Sequence, residues 1–327
     1  MSTDDITTQQ LPLAPEAFRF NGSGGGYFRI WIVNLLLTLL TFGIYSAWAK
    51  VRRLKYFYGN TELAGASFDY HGSPIAIFKG RLFALGLFTL YTVATNVISW
   101  WTLVALVFLA VVLPWLLRNS FRFRMQNSRY RGLRFGFHGS NAGAYATFLF
   151  YPVLMFVTFY LAGPLFHARL KQYQHGNARY GTTHFGFDAT VGEFYKAYLP
   201  IFVLMFLGVF GVGFAAALMV PAMAAAKTNP QALVGVFITM FVVLMAASLL
   251  ITPLWQVRTQ NLIWNRTRLG EHRFESTMRV LPLLGIHLTN FLGILLTLGL
   301  FAPWAMVRVA RYRAACLQML PASSLDL

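Results

Sequence analysis

Acidic residues are scarce in this chain, and none of them lies where a buried carboxylate would be needed. The 327 residues include ten Asp and Glu against 27 Lys and Arg, a formal net charge of +17. All ten acids (positions 4, 5, 16, 62, 69, 188, 193, 271, 275 and 326) fall outside the apolar runs. Proton- or sodium-coupled carriers place a carboxylate at membrane depth, and that signature is missing. Cysteine is nearly absent as well. Cys316 stands alone, which excludes an internal disulfide and any Cys-based zinc site. His167, His175 and His184 are spaced eight and nine apart, which fits no helical metal pattern. The Gly-rich stretch 22–26 lacks the Lys of a phosphate-binding loop and a preceding strand. There is no Gly-x-Ser-x-Gly, no His-Glu-x-x-His and no paired acids in a run. The expectation is therefore of no enzyme, no cofactor and no metal. Residues 1–17 carry no basic stretch ahead of the first apolar run, so no cleaved signal peptide is expected.

What the chain has in quantity is apolar sequence: 57% of residues are hydrophobic and 11% charged, with a mean hydropathy of +0.55. Soluble domains carry about 25% charged residues. Uncharged runs cover 30–48, 82–117, 142–166, 199–223, 233–254 and 280–304. A membrane helix needs roughly 20 apolar residues, and the run 82–117 is long enough for two. Seven apolar segments and an integral membrane protein follow. In that setting the positive charge marks cytoplasmic loops facing anionic lipid headgroups rather than nucleic acid.

A six-residue phrase, Phe-x-aromatic-polar-small-hydroxyl, precedes the apolar segments: Phe18 to Ser23, Phe68 to Ser73 and Phe135 to Ser140. Phe185 to Thr190 is a drifted copy, and Phe274-Glu275-Ser276 a remnant. Self-similarity of this kind means one unit repeated. A second phrase closes each run. Trp48, Trp115 or Trp304, or a proline, ends the apolar stretch, and a basic residue follows: Arg52, Arg118, Arg169, Arg258 and Arg308. These five are expected at the membrane–water boundary, with Trp at the headgroup level and Arg reaching phosphates. Asn60, Asn127 and Asn177 stand eight residues before Phe68, Phe135 and Phe185, and Arg266 eight before Phe274. Turn residues followed by alternating aromatics predict a short β-hairpin outside the bilayer at each cassette.

The chain is accordingly read as an all-α integral membrane protein with hairpin-like extramembrane cassettes. Residues 1–17 form a disordered tail, 18–134 and 135–273 two halves of three apolar segments each, 274–318 a final single-segment repeat, and 319–327 a C-terminal tail. If all seven segments span, the halves are inverted, as in many transporters. The basic residues point the other way. With the three single segments re-entrant, every cassette shares one face and only Lys227 of the 27 basic residues lies opposite. The expectation adopted is that all five cassettes share a face. Within the runs Asn34, Asn96, His287 and Asn290 are the strongly polar side chains. The matched pair Asn34 and Asn290 reads as interhelical packing, and His287 as a candidate for a direct role.

With residues 40–53 (Leu-Thr-Phe-Gly-Ile-Tyr-Ser-Ala-Trp-Ala-Lys-Val-Arg-Arg), 56–61 and 68–72 in view, the chain resembles the YjgN family of bacterial inner-membrane proteins over about 18–318. The resemblance implies a multi-pass protein of the bacterial cytoplasmic membrane and carries over no activity, substrate or catalytic residue. Two functions fit the residues. One is a transport- or channel-like protein for a small solute. The other is a non-transporting scaffold or accessory subunit that presents basic, aromatic cassettes to anionic lipid or a partner protein.

Overall fold

Five cassettes, four of them hairpins and the fifth a single strand, meet in one sheet. The structure, a computed structural model, describes residues 14–97, 99–218 and 230–322. The first unit runs from β1 (Glu16–Ala17) and β2 (Arg19–Phe20) through helices α1 (Gly24–Leu40) and α2 (Ser46–Gly59) into β3 (Thr61–Leu63) and β4 (Ala66–Tyr70). The second has α3 (Pro74–Val97) and α4 (Ser99–Gln126), then β5 (Ser128–Tyr130) and β6 (Leu133–Phe137). The third has α5 (Asn141–Val157, with a π-helical turn at Ala146–Phe150) and α6 (Gly163–Gly176), then β7 (Ala178–Tyr180) and β8 (Thr183–Phe187). The fourth has α7 (Val191–Leu218) and α8 (Pro230–Asn265), then β9 (Thr267–Leu269) and β10 (His272–Ser276). The fifth has α9 (Val280–Leu296) and α10 (Ala302–Ala315), and ends in β11 (Leu317–Leu320).

The strands form an 11-stranded antiparallel sheet that begins with β1 on β11 and ends with β2 on β3. Only Phe18 separates β1 from β2, so the chain itself closes the sheet into a ring. The all-α expectation is corrected here. Short strands of two to five residues are inconspicuous beside the apolar runs, but β3 to β11 each pair on both sides. The terminal boundaries also move. Glu16 and Ala17 pair with Met319 and Gln318, so ordered strands reach into both presumed tails. The boundary at 134/135 falls inside β6.

Equivalent positions carry equivalent bonds. The residue three after each opening Phe donates its N–H to the carbonyl of the residue that follows the same unit's last helix: Asn21 to Asn60, His71 to Asn127, His138 to Asn177, Asp188 to Arg266 and Thr277 to Cys316, at 2.8 to 3.0 Å. The three asparagines also fold back, each Nδ2 donating to the carbonyl four residues earlier at 2.7 or 2.8 Å. That bond satisfies one of the orphan carbonyls at a helix end. Ser23 and Ser140 accept N–H bonds from Gly26 and Gly143, capping α1 and α5 as the opening phrase predicts. Ala47, Pro114, Pro164, Pro253 and Pro303 stand at matching places in the five units and are fully buried.

Among the described residues seven apolar helices are present, and four of them reach spanning length: α3, α4, α7 and α8. This corrects a count of seven spans. The other three, α1, α5 and α9, are shorter apolar helices, each folded back against a 14-residue partner. Their turns are built alike. Thr41, Thr158 and Thr297 each donate a hydroxyl to the carbonyl four residues back and accept the N–H four residues on. The next residue, Phe42, Phe159 or Leu298, has φ of 48° or 49°, and Gly43 and Gly299 follow at 91° and 95°, where a side chain would be strained. Those three large residues are 99%, 89% and 94% exposed. Apolar side chains so presented at a turn suit lipid and not water.

Candidate functional site

The opening phenylalanines converge. Phe18, Phe68, Phe135, Phe185 and Phe274 form a closed pentagon with neighbouring ring centroids 6.2 to 6.5 Å apart. Their planes differ by 12° to 41°, so the rings lie edge to edge across the axis rather than standing along it. Leu63, Tyr130, Tyr180, Leu269 and Met319, each the third residue after its helix end, make a second buried group of five toward the hairpin turns. Tyr130 donates its hydroxyl to the Leu63 carbonyl (2.6 Å) and Tyr180 to that of Tyr130 (2.9 Å), lacing neighbouring hairpins together. These ten side chains plug the centre of the ring.

On the helix side of the plug lie two adjoining cavities of about 390 and 310 Å³ that share Tyr58, Phe68 and Trp264. All five inward helices line them, at fixed places counted back from the residue that follows each helix. Two back stand Tyr58, Met125, His175, Trp264 and Ala314; three back, Phe57, Arg124, Gln174 and Arg313; six back, Phe121, Lys171, Gln260 and Ala310. This inward stripe follows the helical repeat of three and four. Arg124, Lys171 and Arg313 are its cations. No carboxylate lines either cavity, and the ion pairs among the described residues (Asp69–His71, Glu193–Arg266, Asp188–Arg268) lie elsewhere. Arg313 donates Nη2 to Gln256 Oε1 at 3.0 Å, while its buried Nε has no partner. Burial, and then the charge of Arg124, pull the Lys171 ammonium below its usual range. Burial, with Lys171 second, holds the imidazoles of His167 and His175 down at about 4 and about 3. Both histidines are neutral at physiological pH. His167 Nδ1 meets the Tyr198 hydroxyl at 2.8 Å and His175 Nδ1 meets that of Thr267 at 3.2 Å.

Apart from the opening phenylalanines and His175, the residues picked out in the sequence lie around this chamber rather than in it. Arg52 reaches Asn34 Oδ1 (3.2 Å) and Arg308 reaches Asn290 Oδ1 (2.8 Å), the same tie between the two arms of a short hairpin. Arg118 donates to the Gly139 carbonyl (2.6 Å), Arg169 to Gln172 (2.9 Å), and Arg258 is exposed. Trp48 lies against Phe78 and Trp304 against Phe28, so each packs onto the outgoing helix of the next unit; Trp115 is exposed. His287 lines a third, apolar cavity of about 620 Å³ beside Asn290, which adjoins the first and shares Phe57, Ala310 and Arg313 with it. The side chain of Asn96 lies outside the described residues. Among those residues no group of three potential ligands could hold a metal. Arg124, Lys171 and Arg313 went unselected in the sequence. Their signal is register: Arg124 and Lys171 lie three and six residues ahead of positions that the Asn–Phe spacing marks, and Arg313 lies three ahead of Cys316, a helix end that this spacing does not mark.

The fold and the site define an integral membrane protein whose cassettes are gathered into one sheet-capped ring on one side of its apolar helices. The chain belongs to the family described as "Bacterial protein of unknown function (DUF898)", whose model matches residues 15–327. It is similar to inner membrane protein YjgN of Escherichia coli O157:H7, with 29% identity over 166 residues, covering 49% of this chain and 41% of the relative. It is also similar to inner membrane protein YjgN of Salmonella typhimurium strain LT2, with 32% identity over 148 residues, 43% of this chain and 36% of the relative. The YjgN protein of Escherichia coli K12 is 32% identical over 149 residues, 45% of this chain and 37% of the relative. The matched region spans about two fifths of the length of these relatives. No solved structure matches the chain. Membrane-length helices and these relatives place the protein in the bacterial inner membrane as a multi-pass protein.

Proposed function

We propose that the protein is a non-transporting membrane scaffold that presents five copies of one basic, aromatic cassette to anionic lipid at the cytoplasmic face. The observation that carries this reading is the single closed sheet, which puts all five cassettes on one side. Lys and Arg concentrated on one side mark it as cytoplasmic. The three short hairpins then enter one leaflet only. From Phe42, Phe159 and Leu298 the next aligned Arg stands ten residues on, of which the last six or so are helical and rise about 10 Å, within half a hydrocarbon core. The Arg side chains can reach headgroups from there. Passage of a solute along the axis would have to cross ten packed side chains, which weighs against the transport-like alternative.

The test is accessibility in a Cys316→Ser background. Ser67→Cys in the first hairpin and His184→Cys in the third are both exposed positions. An impermeant maleimide should label both in inverted vesicles and neither in intact cells. Opposite accessibility of the two sites overturns the shared face. In polymer discs extracted without detergent, anionic lipid should be enriched around the protein over the bulk membrane; bulk composition would overturn the lipid-presenting role.

A further inference from the structure

A groove of about 290 Å³ between α1, α2 and α3 carries charge that the hairpin architecture does not require. Lys50, Arg53 and Arg81 all line it, beside Trp31, Asn34 and Ser46. The cations act on one another: burial, and then the charges of Arg81, Arg124 and Arg53, pull the Lys50 ammonium below its usual range. Among the described residues no carboxylate lines the groove, and none of the three cations takes part in an ion pair. Arg81 donates Nη1 to the Ser46 hydroxyl, a neutral partner. Like charges gathered in this way repel, and an anion between them removes the repulsion.

The repeat supplies a comparison. Every lining residue of this groove on α1 and α2 except Tyr27 stands 256 positions before a residue that lines the cavity of His287 in the fifth unit. At the places of Lys50 and Arg53 that cavity has Met306 and Val309. The same groove is thus built twice, and the second copy does without the two cations. Their presence in the first copy calls for a reason beyond packing.

The charge also faces lipid. Arg81 stands seven residues into α3, about 10 Å along a helix of spanning length. Leu82 and Leu85 beside it are exposed, as are Leu36 and Leu39 on α1. The three cations are themselves exposed, so headgroups can reach them from the side. A cation within a spanning segment is costly unless something polar answers it, and basic pockets between membrane helices on the cytoplasmic side suit anionic headgroups. A phosphodiester can offer its oxygens to guanidinium and ammonium groups together.

We propose that this groove binds one anionic phospholipid, its phosphate between Lys50, Arg53 and Arg81 and an acyl chain along the exposed leucines of α1 and α3. The inference rests on the lipid-facing orientation given above. It adds one saturable site, in one unit of the five, where that reading requires only a charged face.

The full chain, delipidated in neutral detergent, is titrated by calorimetry at pH 7 with short-chain phosphatidylglycerol, with short-chain phosphatidylcholine and with inorganic phosphate. Saturable one-to-one binding of phosphatidylglycerol, roughly tenfold tighter than of either other probe, is the expected result. Equal affinity for phosphatidylcholine or for inorganic phosphate overturns the proposal. The triple variant Lys50→Gln, Arg53→Gln, Arg81→Gln should weaken binding by roughly tenfold or more. A charge-matched control, Arg122→Gln, Arg134→Gln, Lys196→Gln, removes three exposed cations outside the groove and should leave affinity unchanged. Equal weakening in both triples, or no saturable binding in the unaltered protein, overturns the site. The scaffold reading would survive either result if labelling still found one face and anionic lipid were still enriched. Should the triple variant fail to fold, Arg81→Gln alone removes one exposed cation and should weaken binding severalfold; unaltered affinity there overturns the site.

Discussion

Three of the five units are short helical hairpins and two are long spanning ones, yet both kinds deliver the same cassette to the same ring. The short units are alike to the residue. Tyr56, Tyr173 and Tyr312 each donate a hydroxyl to the carbonyl of the residue 33 positions earlier, Ser23, Ser140 and Arg279. Tyr56 and Tyr312 also accept that residue's N–H. The long units have Phe123 and Leu262 at this place and no such tie. In the short units the two arms are fastened near the sheet by Tyr and turned at the far end by the Thr-centred loop. In the long units the helices lean on one another across the whole bilayer. How deep a unit reaches is thus independent of how it joins the sheet, so cassette position sets the face and hairpin length sets only penetration.

The largest expected effect falls on what both kinds of unit share. Phe274→Ala should destabilise the protein by about 3–5 kcal/mol, the usual range for emptying a buried Phe site, read as a lowered melting temperature in detergent. A loss below about 1 kcal/mol would mean that the pentagon is not part of the core. The second effect tests one contact between short and long units. His167 and His175 on α6 face residues of α7 and α8 and are neutral in the folded state, at about 4 and about 3. Unfolded, each takes up a proton near pH 6.5. Their contribution is therefore complete above pH 6.5 and declines as pH falls toward 4, by up to about 1.4 kcal/mol per pH unit for each. A melting temperature flat between pH 7 and pH 4.5, and unaltered in slope by His167→Gln, would break this account.

A third effect separates the two kinds of unit directly. Tyr173→Phe should remove about 0.5–1.5 kcal/mol, the net worth of one hydrogen bond, because the Ser140 carbonyl loses the hydroxyl but keeps the Ala144 N–H at 3.1 Å. Phe123→Leu at the matching place in a long unit should stay under about 1.5 kcal/mol, as a conservative apolar exchange. Equal losses at the two positions would erase the distinction. The smallest effect concerns the loop. Tyr160 holds φ of 67° where the other short units have Gly43 and Gly299. Tyr160→Gly should stabilise by about 1 kcal/mol through relief of left-handed strain, less the ring contact with Phe156 at 5.4 Å. A destabilised variant would show that the ring contact outweighs the strain.

Much of the architecture was legible in the spacing of residues. The Phe at 18, 68, 135, 185 and 274 marked five cassettes, and Asn60, Asn127 and Asn177 marked helix ends and hairpin starts, because helix termination and tight turns are local events with their own residue chemistry. The Thr of the three loops carried a signal that was only half read. The sequence 40–45 aligns visibly with 296–301, but 157–162 has Tyr160 in place of glycine, which hides the shared Thr158.

By itself the sequence determined an apolar, strongly basic chain of repeated cassettes for a bilayer, since hydrophobic runs and spacing act over short distances. Only the tertiary structure decided that the cassettes close into one ring, that five phenylalanines separated by up to 256 positions meet on one axis, and that Arg124 and Lys171 line one cavity beneath them while Arg313 lines the adjoining one. The physical reason is that strand pairing between successive hairpins, and the return of β11 to β1, are long-range bonds. Each short strand can pair with many others, and closure of the whole ring selects the partners.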